Sequence, residues 1–216
     1  MIESYKDLTI KKYQEIREIL KDDGGELNIQ SRIIACLMGV DVDTILSLSL
    51  TKYNELAQKT AFLMNKPTVS ANVPSKIVIN GKEYTLCKNV DKLTASQYID
   101  YQTYIAENDS EKYLANIIAC FLVPKGMKYA DGYDVLEVAN EISEHLSIQT
   151  AMDICFFFRK KYLNSIKLTL TYLDLHLRMM KIRTKNPEVK EKMKQLTEMM
   201  KEYRHRLENA GDGLVW

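Results

Sequence analysis

The sequence predicts a mainly α protein: a multi-helix bundle of helical hairpins with one small β-hairpin at about residues 76–87 and a long central helix near the C-terminus. Three observations point there. The 216 residues include only 8 Gly and 4 Pro, so long regular elements should outnumber tight turns. Apolar residues recur three and four positions apart through most of the chain, the period of a helix face. One stretch, Lys76 to Cys87, changes period around an Asn-Gly turn signal.

Thr9 suits an N-cap before a helix carrying Ile10, Tyr13, Ile16 and Leu20, and Asp22-Asp23-Gly24-Gly25 stops it. Ile29, Ile33 and Leu37 form the next stripe, broken at Gly39. Asp41 or Asp43 can cap a short helix through Leu48, and Thr51 another to about Met64. Asn65 to Ser75 contains Pro67 and Pro74 and reads as a linker. Two short β-prone runs then flank Asn80-Gly81, a pair suited to a type I′ turn because both central residues need positive φ. An isolated hairpin is marginal in water, so this one must lie on the helical body or pair with another chain.

Thr94 and Gln97 have the spacing of a capping box, opening a helix whose face is Tyr98, Tyr101 or Gln102, and Ile105. Asp109-Ser110 should start another helix through Ile117, Ile118 and Phe121, ended by Pro124-Lys125-Gly126. Tyr129 to Tyr133 reads as a loop and Asp134 to His145 as about three helical turns. Ser147 can cap a long helix with one stripe at Ile148, Met152, Cys155, Tyr162, Ile166, Leu170, Leu173, Leu177 and Met180. A second stripe at Phe157, Leu168, Tyr172, Leu175, Met179 and Ile182 makes it apolar on more than one side, the mark of a helix packed all round. Ile166 to Leu177 also alternates at period two, so a strand stays open there. Asn186-Pro187 reads as N-cap and first turn of a final helix with Val189, Met193, Leu196, Met200, Tyr203 and Leu207 on one face. The expected organisation is an N-terminal helical subdomain (1–66), a linker with the hairpin (67–92) and a C-terminal helical domain (93–216).

A faint internal echo supports the helical architecture: Thr9-x-x-x-Tyr13 precedes Ile33-Ile34-Ala35-Cys36, and Thr94-x-x-x-Tyr98 precedes Ile117-Ile118-Ala119-Cys120. The four cysteines form no CxxC pair, and Cys36, Cys120 and Cys155 sit in apolar runs where a thiol acts as a small hydrophobe. The start, MIESYKDLT, lacks a basic segment followed by an apolar one, and the longest apolar runs fall far short of the roughly 20 residues a membrane span needs. These features lead to the expectation of a soluble, cytoplasmic chain.

Signals for chemistry are sparse. His145, His176 and His205 have no second ligand at zinc or di-iron spacing, and no GxxxxGKS, GxGxxG or GxSxG run occurs. Glu137 and Glu141 lie one helical turn apart, a spacing common on solvated faces. Ala35, Gly39 and Ile45 have helix-turn-helix spacing, but the second helix would carry Asp43, Thr44 and Ser47 and no cation, so it would repel a duplex. No catalytic, cofactor-binding or metal-binding residue is therefore assigned, and no cofactor is expected.

Charge is more informative. Residues 1–158 hold 16 Lys/Arg against 22 Asp/Glu, a net of −6. Residues 159–185 hold Arg159, Lys160, Lys161, Lys167, Arg178, Lys181, Arg183 and Lys185 against Asp174 alone, a net of +7. Three destinations compete for these cations: the chain's own acidic body, an acidic partner protein, or nucleic acid. The ten Met are helical core filler or part of an adaptable binding surface. The candidate partner-binding set is Arg159, Lys160, Lys161, Arg178, Lys181, Arg183, Lys185, Met193, Met200 and Trp216, the last in a tail that could tuck into a groove of this chain or a neighbour.

Three stretches, LTASQYIDYQTYI (Leu93 to Ile105), IIACFLVPKGMKYADGYD (Ile117 to Asp134) and SIQTAMDICFFF (Ser147 to Phe158), carry a family resemblance. With the order of elements, they resemble the small accessory proteins of tailed bacteriophages, including tail-assembly chaperones, over about residues 90–165. The resemblance implies a non-enzymatic protein that binds a phage structural protein during assembly in the host cytoplasm or virion. It transfers no catalytic or ligand residue. The expectation is thus an assembly or interaction protein with another protein as partner and oligomerisation open; the alternative is a nucleic-acid-binding accessory protein using residues 159–185.

Overall fold

The computed structural model describes residues 2–65, 67–107, 111–184 and 186–209. Its first half holds α1 (Ile10–Leu20), α2 (Glu26–Met38), α3 (Val42–Leu46), α4 (Leu50–Lys59), β1 (Lys76–Ile79) and β2 (Lys82–Leu86). Then come α5 (Ala95–Ala106), α6 (Leu114–Ala119), β3 (Leu122–Pro124), α7 (Val135–His145), α8 (Ile148–Arg183) and α9 (Pro187–Asn209). The protein is mainly α with one small antiparallel sheet. Its chain divides into two compact units, Met1–Phe157 and Phe158–Trp216, so the boundary falls inside α8. The changes of character read at residues 66 and 92 both lie within the first unit.

Local chemistry sets the element ends. The Thr9 hydroxyl accepts the Lys12 N–H at 3.4 Å and starts α1. Gly39 closes α2 in the left-handed region, φ 69°, where a side chain would be strained. Asp41 holds the cap position of α3 without a side-chain bond, and α3 ends at Leu46. Ser49, not Thr51, caps α4 by accepting the Lys52 N–H at 3.4 Å. Ile34, Ala35, Ile45 and Leu56 from α2, α3 and α4 bury one cluster, which explains the Ala35/Gly39/Ile45 spacing as helical packing.

The hairpin forms as its turn chemistry dictates, with Asn80 at φ 47° and Gly81 at φ 78°. Val78 pairs with Glu83 and Ile79 with Lys82. Its support comes from β3, antiparallel to β2 with Leu86 opposite Leu122 and Tyr84 opposite Pro124, giving the order β1-β2-β3. The third strand corrects the expected helix through Phe121 to Pro124: α6 ends at Ala119. A continuous apolar run reads equally as buried helix or buried strand, and here the exposed edge of β2 recruits the extended form. Pro124 is tolerated because β3 is an edge strand.

The core of the first unit surrounds α6, in which Leu114, Ala115, Ile117, Ile118 and Ala119 are all buried. α7 packs on it through Val138, Ala139 and Ile142, and α1 packs on α7 with Ile10 and Ile16 inside. Ile77, Ile79, Tyr84 and Leu86 close the sheet side. Thr9 and Ser147 form an isolated antiparallel bridge, with the Ile148 N–H donating to the Leu8 carbonyl at 2.7 Å. This bridge fixes the start of α8, capped by Ser147 Oγ accepting the Thr150 N–H at 3.2 Å.

α5 departs from the expected face. Tyr98, Ile99 and Ile105 are exposed, while Gln97, Asp100, Tyr101 and Tyr104 point inward. The reason is polar anchoring. Gln97 completes the capping box with Thr94 and donates to the Cys120 carbonyl at 2.9 Å. Asp100 accepts the Tyr129 hydroxyl at 2.8 Å, and the Tyr101 ring meets Phe121 edge-on at 5.0 Å.

In the second unit, α8 runs on as a helix through residues 166–177, so the strand alternative there is excluded. Asn186 Oδ1 accepts the Glu188 N–H at 2.9 Å and starts α9 at Pro187. The second half of α8 and all of α9, three residues apart in the chain, make up this unit. The expected starts of Asp109-Ser110 and the tail from Gly211 to Trp216 lie outside the described residues.

Candidate functional site

The second half of α8 carries two apolar stripes about half a turn apart around the helix axis. Leu163, Ile166, Leu170 and Leu177 make the inner one, with Leu170 and Leu177 only 8% exposed. Leu168, Tyr172, Leu175 and Met179 make the outer one and are 72, 66, 57 and 43% exposed. The exposure of this outer stripe corrects the expectation that α8 is packed all round. Exposed Ser165, Thr169 and His176 separate the outer stripe from a further apolar group at Tyr162, Leu173 and Met180. The Tyr172 ring stacks on His176 at 6.1 Å, one turn away.

Of the residues singled out from the sequence, Lys160, Lys161 and Lys181 are exposed on α8, and Arg159 is half-buried. Arg178 is exposed and reaches Asp174 at 2.9 Å, one turn back on the same helix. Lys160, Lys167 and Arg178 follow one flank of the outer stripe, by helical geometry about a quarter-turn from it. Met193 is buried at 9% and Met200 half-buried. Arg183 lies in the last turn of α8, with its side chain outside the described residues, as are Lys185 and Trp216 entirely. The outer stripe residues were visible in the sequence as a second periodic set. What periodicity did not show was that this set stays exposed.

A concave region lies in the first unit, an open groove of about 500 Å³ between the hairpin and α7. Asn80, Lys82, Tyr84, Tyr133, Glu137, Glu141, Glu144 and His145 contribute to its walls. At its centre the Glu141 carboxylate accepts the Tyr84 hydroxyl, the Lys82 ammonium at 3.0 Å and the Asn80 amide at 3.3 Å. Burial alone would raise this carboxyl, but those three bonds outweigh it and hold the group below its ordinary value. Glu144 is bridged to Lys11 at 2.6 Å. Glu141 is thus a clamp between hairpin and helix, its lone pairs occupied by neighbours, and Glu137 shares the groove without joining that network. Among the described residues, no group of three His, Cys, Asp or Glu side chains is arranged to hold a metal ion.

Cys120 and Cys155 are buried, and Cys36 is half-buried. Desolvation, with the Glu15 carboxylate 3.5 Å away, pushes Cys36 up to about 11. Burial does the same for Cys120, to about 11, and for Cys155, to about 12. A thiol held so far above neutrality is protonated and a poor nucleophile. No described helix is long and apolar enough to cross a membrane.

No family model, curated protein or solved structure matches the chain.

Proposed function

We propose that the protein is a non-enzymatic assembly or interaction protein that binds another protein through the exposed outer face of α8. The observation behind this reading is the outer stripe of α8. Four large apolar side chains aligned on one helix face and left in water are costly to maintain, and such faces mark interaction sites. The stripe lies in the segment with the chain's largest excess of positive charge, which adds orientation to the contact. The resemblance of residues 90–165 to accessory proteins of tailed bacteriophages supports a phage tail-assembly chaperone or virion component as the specific form, acting in the host cytoplasm.

The test is differential capture. Tagged wild-type chain and its Leu168→Glu/Leu175→Glu variant are expressed in cells making the phage structural proteins. The wild type should retain a structural protein that the variant loses. Equal retention by both would remove this face of α8 from the function. A second reading, nucleic-acid binding, draws on the alignment of Lys160, Lys167 and Arg178 along one flank of α8. Gel shifts that strengthen as salt is lowered would favour it.

A further inference from the structure

We infer that the outer stripe of α8 receives an amphipathic helix from a partner protein, with Asp and Glu beside that helix's apolar seam. This rests on the reading above and names the partner's chemistry. Leu168, Tyr172, Leu175 and Met179 follow one another at spacings of four, three and four, the spacing at which side chains of one helix enter the holes of another. The seam is about 16 Å long at 1.5 Å per residue, some three turns. An extended strand, whose side chains alternate at period two, would match it only at isolated points.

Charge selects among helices. Lys160, Lys167 and Arg178 are exposed along one edge of the seam, Arg178 paired with Asp174 one turn back, and the opposite edge is Ser165, Thr169 and His176. Residues 159–185 carry a net of +7, while 186–216 balance six cations against six acids, so the unit as a whole stays cationic. Pairing two copies through this seam would bring two such units together, and like charges at a rim oppose association. On the chain's own α9, Met193 is already buried. A nucleic-acid ligand would use the cations and leave the four apolar residues uncovered. An anionic lipid surface favours a broad apolar face, whereas the polar strip Ser165, Thr169, His176 interrupts this one.

The experiment uses the full chain and two labelled synthetic helices with identical Leu seams, one flanked by Glu and one by Lys. Fluorescence anisotropy should show the Glu-flanked helix binding at least about tenfold tighter, with the difference shrinking in high salt. Leu168→Glu/Leu175→Glu should weaken that binding about a hundredfold, since two leucines leave the interface. Lys160→Glu/Lys167→Glu should reverse the preference and, lying on an exposed flank, leave the helical circular dichroism unchanged.

Equal affinity for the two helices overturns the inference. So does a dimer of the chain, seen by light scattering, that the leucine variant converts to monomer, or binding to anionic vesicles with none to either helix. The two proposals fail separately. If the natural partner is lost on mutating the stripe but Glu flanks confer no advantage, only the partner chemistry is wrong. If the natural partner survives that mutation, the functional reading itself falls.

Discussion

The Tyr84 hydroxyl on β2 donates to the Glu141 carboxylate on α7, tying the small sheet to the helical body. Lys82 and Asn80 donate to the same group, so one acid collects three donors from the hairpin. Two chain segments 57 residues apart meet at this point, where an isolated hairpin could not hold itself.

Removing one donor should loosen the tie. Tyr84→Phe keeps the ring packing and deletes the hydroxyl, and should cost about 1–2 kcal/mol in urea unfolding. Glu141→Gln changes the pH dependence as well. The folded carboxyl lies below its ordinary value, so its contribution is complete above the unfolded value of about 4.3 and is lost as pH falls through the folded one. Between about pH 6 and about pH 3, the wild type should therefore lose more stability than Glu141→Gln. Parallel losses in the two proteins would show that Glu141 is not the group responsible.

A second prediction concerns α5. Its inward face is polar, and the Tyr129 hydroxyl on Asp100 is one of its anchors at 2.8 Å. Tyr129→Phe should speed hydrogen exchange of the α5 amides while α6 and α7, held by apolar burial, keep their protection. A uniform rise across the first unit would mean that the bond supports the core as a whole.

This helix also shows what the sequence could convey. Caps and turns were legible because their signals are local: Thr9, Thr94 with Gln97, Ser147, Asn186-Pro187 and Asn80-Gly81 each act within a few residues. The face of α5 was not. Periodicity favoured Tyr98 and Ile105, but partners 23 and 29 residues away, the Cys120 carbonyl and Tyr129, drew Gln97 and Asp100 inward. β3 was hidden for a related reason: whether Leu122–Pro124 extends depends on the free edge of β2. At the candidate site, the positive segment and the outer stripe of α8 were readable, but Tyr162, Leu173 and Met180 of the other expected stripe are exposed. Which stripe is buried and which is exposed depends on tertiary packing, which periodicity does not carry.

Third, the cysteines should resist alkylation. Cys36, Cys120 and Cys155 are raised to between about 11 and about 12, so at pH 8 their thiolate fractions are small. Mass spectrometry after brief iodoacetamide treatment at about pH 8 should find these three unmodified in the folded chain and modified in urea. Rapid modification of Cys155 without denaturant would show that the start of α8 opens.

The fourth prediction separates the two stripes of α8. Leu170 is buried and Leu175, five residues on, is 57% exposed, yet both are leucines of one helix. If the inner stripe holds the hairpin, Leu170→Ala should cost about 2–5 kcal/mol and raise hydrogen exchange along α9. Leu175→Ala should change stability by less than about 0.5 kcal/mol and leave α9 protected. Partner binding should move the other way for the exposed position: Leu175→Ala weakens capture with the fold intact, an effect no purely structural residue gives. Should both alanines destabilise α9 equally, the outer stripe would be packed in solution, and its role as a docking face would be lost with it.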